Sequence, residues 1–247
     1  MTATKLRAVP VERIWGRRDL PPGFPHLGPG VPVGEIWFET APEAPVLVKY
    51  LFTAERLSIQ VHPDDAAARA RGHPRGKDEA WYILEAEPDA RIGLGLTHEV
   101  SREALRAAAL NGNIETLLDW RPVMPGELLY SPAGTIHAIG GGISLVEIQQ
   151  NLDLTYRLYD YGRPRELQLE DGLAVANPGP WEPSPAPAFR IERWTESKTL
   201  NGPAVVVPLA AAGAIDGHAL AVGTCWAVDD RAEIAGEGID LLAAFPA

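Results

Sequence analysis

Three polar residues alternate with three apolar residues in the segment 57–62, Leu-Ser-Ile-Gln-Val-His. If this segment is a strand, Ser58, Gln60 and His62 share one face, because side chains alternate along a strand. Buried polar groups need partners, and a hydroxyl, an amide oxygen and an imidazole directed into a closed fold suit a metal ion or a polar ligand. The segment therefore predicts a binding face.

A second histidine lies in a spaced motif with the pattern G-x5-P-x-G-x2-H. The motif is formed by Gly126, Pro132, Gly134 and His137. It resembles the second conserved motif of the cupin superfamily, in which a glycine turn and a Pro-Gly corner deliver a metal-binding histidine into a small jelly-roll barrel. The resemblance implies an all-β cupin fold, and the many turns expected from 23 Pro and 24 Gly agree with it.

The two segments, with one carboxylate between them, give a set of metal-ligand types. The set is Gln60, His62, Glu79 and His137. Two imidazoles with oxygen ligands suit Zn²⁺ among several divalent metals.

Length and charge limit the class of protein. The 247 residues suffice for one large core or two small ones. The formal net charge of −11, from 22 basic and 33 acidic residues, opposes binding to nucleic acid or to an anionic membrane. The chain has no apolar run of signal-peptide or membrane-spanning length, and its single cysteine, Cys225, fits a reducing compartment. We therefore expect a cytoplasmic protein, and we expect a monomer.

The sequence divides most clearly at a proline-rich stretch. We predict a catalytic cupin domain over 1–176, with a helical insertion near 101–119 that begins at the N-cap Ser101. Residues 177–188 form a predicted linker. Residues 189–247 are predicted to form a shortened cupin-like β domain, too short for a complete second barrel.

Four blocks of sequence are similar to type I mannose-6-phosphate isomerase in its short bacterial form. They are residues 57–65, 76–84, 132–138 and 147–161, and the similarity extends from about residue 10 to residue 175. The resemblance implies interconversion of mannose 6-phosphate and fructose 6-phosphate, in which a proton moves between C1 and C2 through an enediol.

The resemblance also implies roles for individual residues. One zinc ion per chain is implied at the four ligands named above, catalysis at Arg157, and positions around the substrate for Ser58, Lys77, Glu147 and Arg163. Proton transfer needs a pKa near neutrality, which a nearby cation could give to Lys77 and burial could give to Glu147. The sequence does not choose between these two. Arg157 and Arg163 lie on one face if their strand is regular, and their planar guanidinium groups could hold a phosphate or an enediolate.

Alternatives remain from other classes. A non-catalytic sugar-phosphate sensor would keep the pocket without turnover, and an isomerase could act on another hexose phosphate. A cupin oxygenase would need an apolar pocket, which the clustered Lys and Arg disfavour. A further reading pairs Lys77 with Glu147 in an ordinary salt bridge and leaves Arg163 in solvent.

Overall fold

The computed structural model describes residues 3–247, and strands are its dominant regular structure. The strands of the first part of the chain are β1 (Ala3–Lys5), β2 (Ala8–Arg17), β3 (Val33–Phe38), β4 (Val46–Thr53), β5 (Ile59–Val61), β6 (Glu79–Ala86), β7 (Arg91–Leu96), β8 (Leu118–Pro122), β9 (Leu128–Ser131), β10 (His137–Ile139), β11 (Ile143–Gln150) and β12 (Tyr156–Tyr159). The helices are α1 (Asp65–Arg69), α2 (Arg102–Asn111), α3 (Ile114–Leu117) and α4 (Leu169–Val175). The later strands are β13 (Phe189–Trp194), β14 (Lys198–Asn201), β15 (Ala204–Pro208), β16 (Ala214–Ile215), β17 (His218–Ala219), β18 (Trp226–Val228), β19 (Arg231–Ala235) and β20 (Leu241–Pro246).

Two antiparallel sheets form a barrel that surrounds the predicted binding face. The first sheet has the order β2-β3-β4-β11-β6-β9, and the second has the order β12-β5-β10-β7-β8. Leu51 and Trp81 from the first sheet pack with Leu94 from the second in one core. The interior of the barrel is therefore lined by alternate residues of both sheets.

The central strands β4 and β11 of the first sheet are buried on both faces, which explains their nearly continuous apolar sequences. All eight residues of β4 are buried. Val48 and Tyr50 pack with Val207 and Leu242 of the later strands, whereas Leu51 packs inside the barrel. Such a continuous apolar run is typical of a central strand, and β4 lies between β3 and β11.

Helices cover the outer face of the second sheet. Leu105 of α2 packs in one apolar cluster with Ile59 of β5. The Ser101 hydroxyl accepts a hydrogen bond from the backbone N–H of Ala104, at 3.1 Å, which confirms the predicted N-cap. The left-handed Gly112 ends α2. Among residues 3–247, none of the helices has the length and apolar character needed to cross a bilayer.

The later strands form two further sheets that share an apolar core. Their orders are β1-β18-β15-β20-β13 and β14-β19-β16-β17. Leu200, Val206 and Ile234 pack together between them. The first strand of the chain belongs here, because Ala3 of β1 lies opposite Val228 of β18. This unit therefore contains strands from both ends of the described chain.

The proline-rich segment, residues 177–188, lies against the barrel and is called the strap below. The backbone N–H of Leu96 donates to the Gly179 carbonyl at 2.9 Å. The indole N–H of Trp181 donates to the Tyr130 carbonyl at 2.9 Å. The strap is thus tied to two barrel strands, β7 and β9. The domain limits proposed from the sequence stay a prediction.

Candidate active site

Two histidines and a glutamate meet inside the barrel. His62 directly follows β5, Glu79 begins β6 and His137 begins β10. The Nε2 atom of His62 lies 3.2 Å from Glu79 Oε1, and the Nε2 atom of His137 lies 3.5 Å from Glu79 Oε2. All three side chains are at most 2% exposed. Their ligand atoms lie within 4.8 Å of one another, so the cluster could hold a metal ion.

Backbone carbonyls fix the orientation of both imidazole rings. The Nδ1 atom of His62 lies 2.9 Å from the Leu154 carbonyl, and the Nδ1 atom of His137 lies 2.9 Å from the Thr135 carbonyl. Because a carbonyl accepts only, the ring hydrogen is assigned to Nδ1 in each neutral imidazole. The Nε2 lone pairs are then free to bind a metal, as in other histidine metal sites.

The charges of the cluster support that arrangement. Burial is the main cause that lowers the pKa of His62, to about 4, and burial also lowers the pKa of His137. Burial alone would raise the pKa of Glu79, but the charges of His62 and Lys77 hold it well below its usual value. Near neutral pH the cluster therefore offers two neutral imidazoles and one carboxylate.

The donor set fits a divalent cation. Both carboxylate oxygens of Glu79 are buried without a well-directed hydrogen bond, and the imidazole lone pairs face them. Lone pairs and a carboxylate repel each other unless positive charge lies between them. Lys77 Nζ, 2.7 Å from Glu79 Oε1, supplies part of that charge. Imidazole and carboxylate ligands suit Zn²⁺ and several other divalent ions.

The predicted amide ligand borders the cluster. Gln60 lies opposite His137 in the β5–β10 pairing, and its Nε2 atom is 3.2 Å from His137 Nε2. The Ser58 hydroxyl donates to Gln60 Oε1 at 3.2 Å. A half-turn of the amide would exchange its nitrogen and oxygen and direct the oxygen to the cluster. The structure therefore brings Ser58 and Gln60 together with the three metal-ligand candidates.

The two residues predicted to transfer protons lie beside the cluster but do not pair with each other. Lys77 pairs with Glu79, whereas Glu147 Oε1 lies 3.1 Å from Lys49 Nζ. The indole N–H of Trp81 donates to Glu147 Oε2 at 3.2 Å. Burial, and next the charge of Glu79, raises the pKa of Glu147, in the direction predicted from the sequence.

Arg157 carries an unpaired guanidinium group into the cavity. It lies opposite Gln60 in the β12–β5 pairing. Within residues 3–247 its side chain has no ion pair, and its buried Nε has no hydrogen-bond partner. Burial lowers the pKa of Arg157, and the positive charge of Arg165 lowers it further. A bound anion at this position would offset the cost of burying an unpaired charge.

Arg163 lies outside the cavity, because the strand that was expected to carry it ends early. β12 ends at Tyr159, and Tyr161 and Gly162 then turn with φ of 56° and 77°. The alternation from Arg157 to Arg163 assumed a regular strand, and that assumption is wrong. Arg163 donates instead to the Glu55 carboxylate, at 2.8 Å. Its substrate contact stays a prediction without support from its position.

Several charged residues line the cavity that sequence reasoning did not single out. They are Arg13, Glu35, Lys49, Asp153 and Arg165. One of them, Lys49, could have been recognised from the sequence. Lys49 is a single cation inside an apolar strand, and a strand buried on both faces accepts a charge only where a partner faces it. The signal for Glu35 is weaker, since it only alternates with apolar residues in β3.

Comparison with known proteins relates the chain to sugar-phosphate enzymes. No protein-family model matches it. A Bacillus subtilis protein named "Putative mannose-6-phosphate isomerase YvyI" is 32% identical over 219 residues, which cover 71% of this chain and 69% of that protein. The chain belongs to the mannose-6-phosphate isomerase family. A "Mannose-6-phosphate isomerase" of Streptococcus mutans is 39% identical over 165 residues, which cover 61% of this chain and 52% of the relative. The chain spans about half the length of the curated relatives at 39–42% identity.

The fold agrees with this membership. The solved structure of the mannose 6-phosphate isomerase from Bacillus subtilis superposes with a TM-score of 0.85, at 24% identity, over 99% of each chain. At this identity the superposition concerns the fold, and it confirms the predicted all-β cupin fold.

Proposed function

We propose that the protein interconverts mannose 6-phosphate and fructose 6-phosphate as a metal-dependent aldose–ketose isomerase. One observation carries this proposal. The groups that could move a proton, Lys77 and Glu147, are buried on the wall of a cavity that borders the His62–Glu79–His137 cluster, where the wall residues Lys77 and Gln60 contact Glu79 and His137. Isomerisation needs both a proton carrier and positive charge near the developing enediolate.

We propose one zinc ion per chain at the cluster. His62, Glu79 and His137 would hold it, with Gln60 as the fourth ligand after the half-turn of its amide. When bound, the ion supplies Lewis-acid stabilisation of negative charge on a substrate oxygen.

Glu147 is the favoured proton carrier. A base must lose its proton near the working pH, and a raised pKa brings a carboxyl group toward that range. Its contacts with Lys49 and Trp81 hold the carboxylate at a fixed position. Lys77, held by Glu79, is placed to donate a hydrogen bond to a substrate oxygen. The Ser58 hydroxyl can contact a sugar hydroxyl from the same wall.

Arg157 is proposed to stabilise the enediolate. Its guanidinium is the unpaired cation of the cavity, and it borders Gln60 beside the metal cluster. A free, planar donor group can bind an oxyanion without first breaking an ion pair. Removal of such a preorganised donor lowers turnover by about 10²–10³-fold in other enzymes.

Turnover of mannose 6-phosphate to fructose 6-phosphate tests the proposal. The wild type is assayed before chelation, after chelation and after zinc is added back, beside Arg157→Ala and the control Arg102→Ala, whose side chain lies exposed on α2. We expect loss on chelation, recovery with zinc, a loss of about 10²–10³-fold in Arg157→Ala and no change in the control. A folded, metal-loaded protein without turnover on any hexose phosphate would reject the proposal.

The sensor alternative makes a different prediction for the same experiment. A sensor binds the sugar phosphate but needs no group whose pKa is shifted toward a proton-transfer range. Binding without turnover, together with unchanged binding in Glu147→Gln, would favour the sensor. Turnover of another hexose phosphate, without turnover of mannose 6-phosphate, would support the same mechanism with a different substrate.

The remaining proposals concern the whole chain. We propose residues 1–176 as the catalytic unit, since the residues that line the cavity lie between 13 and 165. We propose a monomer, because one chain supplies all of these residues, and light scattering after gel filtration tests it. The buried free thiol of Cys225 supports a cytoplasmic location, which fractionation of cells would test.

A further inference from the structure

Two guanidinium groups on the wall of the cavity are each held by a carboxylate. Arg165 donates from Nε and Nη2 to both oxygens of Asp160, each at 2.6 Å. Arg13 donates from Nη2 to Glu35 Oε2 at 2.7 Å. The Asp160 side chain is 2% exposed and that of Glu35 is 12% exposed, so both carboxylates hold their arginines from inside the protein.

Both arginines line the cavity and, within residues 3–247, keep N–H donors that no hydrogen bond uses. A guanidinium has five N–H groups. Arg165 uses two of them on Asp160, and Arg13 uses one on Glu35 and one on the Glu12 carbonyl. Each arginine therefore retains three donors, in the planar arrangement that matches the oxygens of a phosphate.

Exposure places these arginines nearer to solvent than the metal cluster. The side chains of Arg165 and Arg13 are 25% and 34% exposed, whereas those of Glu79 and Lys77 are 1% and 4% exposed. The cavity thus has a buried end at Lys77, which pairs with Glu79 of the metal-ligand cluster, and a more open end with paired arginines. A hexose 6-phosphate has a matching polarity, with its reacting carbons at one end and its dianion at the other.

The electrostatics of a third arginine connect the two ends. After burial, the charge of Arg165 is the next cause that lowers the pKa of Arg157, and Arg13 contributes in the same direction. The guanidinium groups of Arg13, Arg157 and Arg165 therefore repel one another across the same cavity. A dianionic ligand bound there would relieve this repulsion.

We infer that Arg13 and Arg165 form a two-armed clamp for the phosphomonoester of the substrate, with Asp160 and Glu35 as positioning residues. This inference rests on the proposed function, because it assigns the end of the same cavity that binds the phosphate. The clamp directs C1 and C2 of the sugar toward Lys77, Glu147 and the metal cluster. It explains why a cavity with a buried acid–base site also carries cations that do no proton transfer.

Steady-state kinetics tests the clamp by comparing arginine variants inside the cavity with an arginine variant outside it. We compare Arg165→Met and Arg13→Met with Arg106→Met, an exposed arginine of α2 that pairs with Glu170 and does not line the cavity. The first two variants should raise the KM for mannose 6-phosphate and the inhibition constant of inorganic phosphate by about tenfold to a hundredfold, because each loses charge-assisted hydrogen bonds. Their kcat should change by less than about fivefold, since the reacting end is untouched. Arg106→Met should match the wild type.

The positioning role has its own readouts. Asp160→Asn should raise KM in the same way as Arg165→Met, with kcat and zinc content unchanged. A general folding defect would instead lower kcat, zinc content and Tm together. If Asp160→Asn does not fold, the two arginine variants still decide the matter.

The outcomes separate the clamp from the proposed function. Turnover with unchanged KM and phosphate inhibition in both arginine variants would overturn the clamp and leave the isomerase. A wild type without turnover that binds inorganic phosphate, and loses this binding in both variants, would support the clamp and overturn the isomerase. A wild type that binds neither inorganic phosphate nor mannose 6-phosphate would overturn both.

Discussion

Glu147 shows how one residue obtains its properties from its neighbours. Its strand partners are Lys49 on β4 and Trp81 on β6, and both contact its carboxylate. Burial alone would lower the pKa of Lys49, but the charges of Glu147 and Glu35 raise it. The lysine therefore stays charged, and the glutamate keeps one fixed ion pair.

Substitution of Glu147 tests its role as the proton carrier. Glu147→Gln keeps the shape of the side chain and should lower kcat by about 10²–10⁴-fold, because the base is lost. Exchange of solvent deuterium into the sugar should fall equally. Glu237→Gln, an exposed carboxyl group, serves as the control. Unchanged exchange in Glu147→Gln would assign the proton transfer to another group, with Lys77 as the first candidate.

The pH dependence of kcat provides a second test of the same residue. A carboxylate base works only when it is deprotonated, so kcat should fall as the pH falls through the pKa of Glu147. Because burial raises that pKa, the loss should begin at a higher pH than for an ordinary glutamate. An acid limb at or below the usual range for glutamate would contradict this.

At the scale of elements, the sequence predicts strand positions better than strand ends. The strand β5 and the capped helix α2 follow from local patterns and are confirmed. The end of β12 depends on the turn at Tyr161, a residue type that rarely adopts positive φ. Gly162 and Pro164 indicate a nearby turn but not that it begins at Tyr161, so Arg163 was expected on the face where Arg165 lines the cavity.

The strap shows a different limit of sequence reasoning. Proline-rich composition predicts an extended segment but not what that segment contacts. Its contacts depend on Gly95 of β7, whose φ is +74° and whose missing side chain makes room for the backbone of Trp181. A Cβ atom at Gly95 would lie 2.2 Å from the Trp181 nitrogen.

Substitution of this glycine should detach the strap. Gly95→Ala should lower the free energy of unfolding by about 1–2 kcal/mol through its backbone and by about 1–3 kcal/mol more through the clash. Gly126→Ala is the matched control, because its φ is +92° but nothing lies within 4 Å of its Cβ position. Urea denaturation measures both variants, and limited proteolysis within 177–188 reports the detachment. Equal destabilisation of the two variants would show that the strap contact contributes little.

At the scale of the whole molecule, β1 joins the start of the described chain to its last third. Its three residues pair with β18 in the order Ala3–Val228, Thr4–Ala227 and Lys5–Trp226. Without β1, β18 would become an exposed edge strand, and such edges favour aggregation. The long separation of these partners is invisible to local sequence patterns.

Removal of β1 tests its contribution. A chain that starts at residue 8 should have a lower Tm and a greater tendency to aggregate, because β18 loses its partner. The residues that line the cavity remain, so turnover per folded molecule should stay within about threefold of the full chain. Tm, light scattering and the isomerase assay measure these effects. An unchanged Tm would mean that the pairing adds little to stability.

The same pairing imposes an order of events during synthesis. A ribosome adds about 5–20 residues per second, so the partner of β1 emerges about ten to forty seconds after β1 itself. Throughout that interval the backbone N–H and C=O groups of β1 lack their strand partner. The barrel, whose strands lie between β1 and β18 in the sequence, can already close. The pairing of β1 with β18 is therefore a late step in the co-translational folding of this protein.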